Sequence, residues 1–290
     1  MKVLITGGKG QLGQALLRVL SLSSAHRLYA PDHSVLDVTK MPEIEQNMEQ
    51  FEPDLIIHSA ANTDVDWCEL NPARAFQVNT GGTYNMARAA QIFGSVFVYI
   101  STNFVFNGAH TRPYLEDEKP LPVNIYGLSK LLGEELVAAL LNRYFIIRTS
   151  WLYGGKSNFV EQILKMLQAG KKLFVAGDQF SAPTFVDDLA RALSILIQSE
   201  RYGIYHLTNR GFCSRLEWVQ ELLLYSDFKA ELTEVDSAYF PNPAQRPYFA
   251  VLGNRRFKDY FGLELRGWQE GLSFYLQEYS PLGRKREGGW

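Results

Sequence analysis

A phenol and an ammonium stand four residues apart, at Tyr126 and Lys130, within IYGLSKLLGEELV. The segment has apolar helical periodicity, and residues four apart share a helix face, so both groups project into one cleft. About 24 residues earlier the apolar run SVFVYI ends in Ser101 and Thr102, two adjacent hydroxyls at a strand end. The set suits the reduction of a ketone. Hydride delivery makes an alkoxide that needs a proton at the same moment, and a phenol with a pKa of ~10 donates poorly at neutral pH unless its anion is stabilised. A nearby ammonium supplies that stabilisation; three pKa units require roughly 4 kcal/mol. The Thr102 hydroxyl can hold the carbonyl oxygen as charge develops on it. Y-x-x-x-K also occurs by chance on solvated helices, so the reading depends on its surroundings.

Upstream, ITGGKGQLG places Gly7, Gly10 and Gly13 at G-x-x-G-x-x-G spacing between a strand and a helix. The first glycine permits a tight turn, the second lets backbone approach a pyrophosphate, and the third lets helix and strand pack closely. Gln11 and Leu12 lie in the same turn and count among the cofactor contacts. A triphosphate loop does not fit, because Gly10 follows Lys9 where a Ser or Thr is needed. Asp32 ends the second strand, 19 residues after Gly13, where an acid accepts ribose hydroxyls. Alone it favours NADH, since a carboxylate repels a 2′-phosphate. His33 is adjacent and Arg27 near in sequence, so NADPH or NADH stays open. Asp37, with Val38 beside it in LDVT, is a second candidate at the adenine end. A carboxylate near a helix start beside Thr39 is its alternative. Ala60 and Ala61, after the run DLIIHS, complete the expected cofactor wall.

These groups need a scaffold. Short apolar runs at 2–6, 27–30, 54–60, 95–100 and 144–150 alternate with helical patterns at 11–20, 41–50, 72–93 and 127–141. Runs buried on both faces and separated by helices predict α/β architecture, a Rossmann-like doubly wound parallel sheet. Past Trp151 the rhythm loosens. SNFVEQILKMLQAG predicts an amphipathic helix, Pro183 stands at an expected helix start, and GIYHL (203–207) resembles a further strand. The expected division is an NAD(P)-binding domain at 1–155, with 183–207 returning to it, and a smaller α/β substrate-binding lobe over 156–290.

Composition restricts the partners. The 290 residues are 46% hydrophobic and 21% charged, with a formal net charge of −2. That balance gives no electrostatic reason to expect nucleic acid or an anionic membrane. Two distant cysteines and five scattered histidines predict no metal site. MKVLITGG enters a strand-like run at once, no apolar stretch reaches the ~20 residues of a membrane span, and the expectation is a cytoplasmic protein.

Taken in order, TGGKGQLG, AANTDVDWCE (60–69), STNFVFNG (101–108), YGLSKLLGE (126–134), RTSWLYG (148–154), DQFSAPT (178–184) and PAQRP (243–247) resemble the extended short-chain dehydrogenase/reductase superfamily. Within it the chain is similar, over nearly its whole length, to the dTDP-4-dehydrorhamnose reductases. The resemblance implies Thr102, not Ser101, as the catalytic hydroxyl, Tyr126 as proton donor and Lys130 as its partner. It further implies Trp151 against the sugar ring, Arg246 on the nucleotide diphosphate, and Asn79 buttressing backbone near the cofactor. Asn103 and Phe104 are expected at the substrate, where the family usually carries an acid and a tyrosine. Related dehydratases place Asp-Glu there, so dehydration is disfavoured. The implied reaction reduces the C4 ketone of a nucleotide-linked 4-keto-6-deoxyhexose, most simply dTDP-4-dehydro-L-rhamnose to dTDP-L-rhamnose, by a monomer or homodimer. The rivals are a sibling reductase or epimerase, and a non-catalytic regulatory subunit resembling that of methionine adenosyltransferase.

Overall fold

A computed structural model describes residues 1–155 and 158–280. Residues 156–157 and 281–290, which begin and end the lobe expected from the sequence, lie outside the described residues. Six parallel strands form the central sheet, in the order Arg27–Tyr29, Lys2–Thr6, Leu55–His58, Val96–Thr102, Tyr144–Thr149, Gly203–His206. The order reverses between Lys2–Thr6 and Leu55–His58, which opens a crevice at their carboxyl ends.

Strand alternation builds two cores, one on each face. Val3, Ile5, Ile57, Val98 and Ile147 pack with Leu12, Leu16 and Leu189 on one side. Leu4, Ile56, Phe97 and Ile146 pack with Ile44, Met86 and Val137 on the other. Helices Gln11–Leu20 and Val186–Leu196 cover the first face. Among the described residues three two-stranded ladders, including Cys213–Ser214 with Phe180–Ser181, lie outside the main sheet.

Two local expectations are corrected. The helical pattern over 72–93 is not one helix. It contains Pro72–Ala75, a π-helical turn Phe76–Gly81 and helix Gly82–Phe93, preceded by a separate short helix Val65–Leu70. Pro183 does not start a helix either: Thr184–Phe185 pairs with Leu152–Tyr153, and the helix begins at Val186. There a tertiary strand pairing overrides the local proline signal.

Candidate active site

The glycine loop sits at the crevice. Gly7 has φ +70°, and a Cβ on it would come within 2.8 Å of the Ala60 backbone nitrogen. A Cβ on Gly13 would meet the Gly7 carbonyl at 2.4 Å. Gly10 caps helix Gln11–Leu20 without a side-chain hydrogen bond, so the helix N-terminus keeps backbone donors for an anion. Two cavities adjoin this loop and share Gly7 and Gly10 in their walls. The larger, about 410 Å³, takes in Gln11, Leu12, Gly13 and Ala61 and runs to Thr102, Tyr126, Lys130 and Trp151. The smaller, about 130 Å³, is walled by Asp32, His33, Val38 and Ala60. Together they make a slot divided like a dinucleotide, and the residues present fit one.

Helix Ile125–Leu140 carries the phenol and ammonium. Asn124 caps it, its Oδ1 accepting from Gly127 N at 2.8 Å, and Glu69 accepts from Ile125 N at 2.9 Å. Its buried face includes Tyr126, Lys130 and Glu134 at four-residue intervals, so the stripe read as apolar carries three polar groups with separate attachments. Tyr126 faces the cleft and meets the Phe104 ring edge-on at 5.8 Å. Lys130 Nζ lies 4.1 Å from the centroid of Tyr99. Glu134 receives Arg148 through two parallel contacts, 3.0 Å from Nε and 2.7 Å from a terminal nitrogen.

Burial dominates the protonation of both reactive groups. It raises the Tyr126 phenol to about 12, against the pull of its hydrogen bond with Thr102. It lowers Lys130 to about 7, with Glu134 pulling the other way. The sequence reading has the ammonium depress the phenol. In the structure burial raises the phenol instead, Lys130 is not among the groups that shift it, and the phenol keeps its proton at neutral pH. Burial first, and the Lys130 charge second, hold His58 down at about 3. Its neutral ring links Thr6 at 2.8 Å to Thr83 at 3.2 Å.

The two strand-end hydroxyls part company. Ser101 donates to Glu134 at 2.5 Å. Thr102 Oγ1 accepts from Phe104 N at 3.2 Å and contacts Asn103 Oδ1 at 3.3 Å, on the cleft wall beside Tyr126. Asn103 also lines the cleft, but its amide nitrogen donates to Ser181 and to the Ala250 carbonyl, both at 3.0 Å. It ties the strand end to the C-terminal half. Asn79 is fully buried in the π-helical turn and exchanges hydrogen bonds with Asn62 backbone, while reaching Ser129 at 3.0 Å.

Two expected ligand contacts lie elsewhere. Asp37 takes the alternative reading: its Oδ1 accepts from Thr39 N at 2.9 Å and Thr39 Oγ1 at 2.7 Å, and it is not among the residues walling either cavity. Arg246 forms a fork with Asp66, at 2.6 and 3.0 Å, and does not line the cleft. Asp64, by contrast, only caps helix Val65–Leu70. Asp32 does line the smaller cavity, where Lys9 pairs with its carboxylate.

Trp151 follows strand Tyr144–Thr149 at φ +41°, a left-handed conformation rare outside glycine. Its ring stacks parallel to Trp218 at 5.6 Å. Arg215, absent from the sequence reading, lies 3.7 Å from the Trp151 ring centroid and lines the cleft. No local signal marks it, since it opens an ordinary helix, Arg215–Leu224, that only the tertiary fold brings here. Among the described residues no group of three His, Cys, Asp or Glu is placed to hold a metal ion.

Residues 1–280 match the family described as RmlD substrate binding domain. The dTDP-4-dehydrorhamnose reductase of Escherichia coli (strain K12) is 31% identical, across 96% of this chain and 98% of that one. The chain belongs to the dTDP-4-dehydrorhamnose reductase family. The crystal structure of the dTDP-4-dehydrorhamnose reductase of Bacillus anthracis str. Ames in complex with NADP matches with a TM-score of 0.92. That match is 36% identical and covers 96% of this chain and 99% of the other. The spore coat polysaccharide biosynthesis protein SpsK of Bacillus subtilis (strain 168) is 39% identical over 280 residues, 96% of this chain and 98% of its own length.

Proposed function

We propose that this chain is a cytoplasmic NAD(P)H-dependent reductase of a nucleotide-linked 4-keto-6-deoxyhexose, most simply converting dTDP-4-dehydro-L-rhamnose to dTDP-L-rhamnose. The observation that carries the reading is the convergence of Thr102, Tyr126 and Lys130 on the wall of the cleft that the glycine loop opens. Kinship with reductases bearing that name supports it.

A dinucleotide would supply the hydride when bound. Gly7, Gly10 and Gly13 with the helix start at Gln11 would hold its pyrophosphate, and Asp32 and Val38 would receive the adenosine end. Thr102 Oγ1 donates to the C4 carbonyl oxygen and fixes its direction. Tyr126, protonated at neutral pH, gives its proton to that oxygen as the alkoxide forms. Lys130, in its ammonium form, steadies the phenolate that this transfer leaves on Tyr126. Trp151 and Phe104 bound the sugar. Of the described residues in the expected substrate lobe, Arg215 lines the cleft. Neither Asn103 nor Phe104 offers the acid or base that loss of water requires.

Purified protein is expected to oxidise NADPH or NADH, followed at 340 nm, only when the keto-sugar is present. Tyr126→Phe is expected to lower kcat by about 10²–10⁴-fold while cofactor binding persists, the usual range for a lost general acid. Undiminished turnover in Tyr126→Phe would show that another group delivers the proton.

A further inference from the structure

Two cations line the larger cavity among the described residues, Lys130 and Arg215. Lys130 is buried against Tyr99 beneath the phenol and is occupied by the chemistry there. Arg215 is differently placed. Its guanidinium lies 3.7 Å from the Trp151 ring centroid, 4.6 Å from that of Phe159 and 5.5 Å from that of Trp218. Its carbon thus lies over three ring faces, contacts that use none of the five N–H donors of the guanidinium as conventional hydrogen bonds. No carboxylate or carbonyl of the described residues accepts from them. The nearest acid in sequence, Glu217, accepts from Ser214 N at 2.7 Å within the helix cap. Burial lowers Arg215 to about 9, with Cys213 opposing and Arg246 adding to the shift. A half-buried arginine held rigid by three rings and lacking an acceptor is preorganised for an anion.

The expected diphosphate ligand, Arg246, is neutralised by its fork with Asp66 and stands off the cleft wall. Resting on the nucleotide-sugar reading above, we propose that Arg215 grips the diphosphate of the substrate, with its guanidinium edge toward the phosphoryl oxygens and its face on Trp151. The same indole that bounds the sugar then fixes the cation that anchors the neighbouring phosphates. Hexose and diphosphate are set in register relative to Thr102 and Tyr126.

The test is calorimetric titration of the full-length protein with dTDP, UDP, GDP, thymidine and NADP⁺. Wild type is expected to bind at least one nucleoside diphosphate. Arg215→Met, which keeps a flexible apolar stem against Trp151, is expected to weaken that binding by about tenfold or more, the scale of a lost charge-assisted hydrogen bond. Thymidine and NADP⁺ affinities should stay within about twofold, since neither probe uses this edge in the proposal. Arg215→Lys keeps the charge and loses the fork, so it should fall between the two. NADP⁺ titration also reports folding of each variant. If Arg215→Met binds the diphosphate like wild type, or if Arg215→Lys does so where the Met variant is unfolded, the proposal is overturned alone. A wild type that binds NADP⁺ but none of the nucleoside diphosphates overturns it together with the substrate reading.

Discussion

Ser101 donates its hydroxyl to Glu134 Oε1 at 2.5 Å, and the same carboxylate is held by Arg148 at 2.7 Å. That relationship separates two neighbouring hydroxyls by task. Ser101 completes a buried ion pair joining helix Ile125–Leu140 to strand Tyr144–Thr149, whereas Thr102 faces the cleft. Ser101→Ala should therefore cost about 1.5–3 kcal/mol of stability, the range for a hydrogen bond to a charged group. Its kcat should stay within about threefold of wild type. Thr102→Val, nearly the same shape, should lower kcat by about 10²-fold, as for loss of one donor to a developing oxyanion. Thermal melts and steady-state rates on both variants check the division; equal losses of kcat would remove it.

Lys130 makes stability depend on pH with a definite sign. Its pKa falls from 10.5 unfolded to about 7 folded, so between those values the unfolded chain holds more protons and stability rises with pH. The penalty for burying the ammonium is fully present below about 7 and is relieved as pH rises toward 10.5. Lys130→Met should accordingly melt higher than wild type at pH 6, with the difference shrinking steadily by pH 9. The same variant should lose turnover. A melting difference independent of pH across that interval would mean Lys130 is not desolvated as described.

The parts of the site legible in the sequence are those whose spacing is local. Tyr126 and Lys130 are one helical turn apart, and Gly7, Gly10 and Gly13 fall within a single βα turn. Ser101 and Thr102 end an unbroken apolar run. The parallel sheet was legible for the same reason, since its strands are buried on both faces and read as continuous runs. What could not be read depends on distant partners. Asp66 and Arg246 are 180 residues apart. Arg215 reaches the cleft only because helix Arg215–Leu224 packs beside Trp151. The smooth helical pattern over 72–93 gave no hint of the π-helical turn that points Asn79 at the Asn62 backbone. Thr184–Phe185 forms a ladder because Leu152–Tyr153 is there to receive it.

Gly127 is a spacer between catalytic elements. A Cβ there would stand 2.1 Å from the Phe104 carbonyl oxygen and 2.9 Å from its carbonyl carbon. Both are backbone atoms in the turn after Thr102, so relief requires helix and strand end to separate. Gly127→Ala should lower kcat by about 10-fold or more through misplacement of Tyr126 relative to Thr102. Overpacking should destabilise the fold by about 1–3 kcal/mol. NADP⁺ affinity, which depends on the glycine loop, should change little. Normal kcat in a stably folded Gly127→Ala would show that the separation of these two elements does not limit the reaction.

Lys9 and Asp32 form an ion pair in the wall of the smaller cavity, at the edge where an adenosine ribose would lie. Asp32 alone would select against a 2′-phosphate, as its position just past the second strand, Arg27–Tyr29, suggests. Lys9 changes that balance, because it can neutralise the carboxylate or turn to meet the added phosphate. The pair should therefore admit both dinucleotides. Removing Lys9 leaves the repulsion uncompensated, so Lys9→Ala should weaken NADP⁺ by about fivefold to tenfold, a modest loss because the ammonium is exposed. NAD⁺ should be nearly unaffected. Asp32→Ser should shift preference the other way, losing the ribose acceptor for NAD⁺ while relieving repulsion of NADP⁺. Titrating both dinucleotides into both variants gives the ratio directly. A ratio that moves in the same direction for the two substitutions would mean that Lys9 and Asp32 do not oppose one another at the ribose.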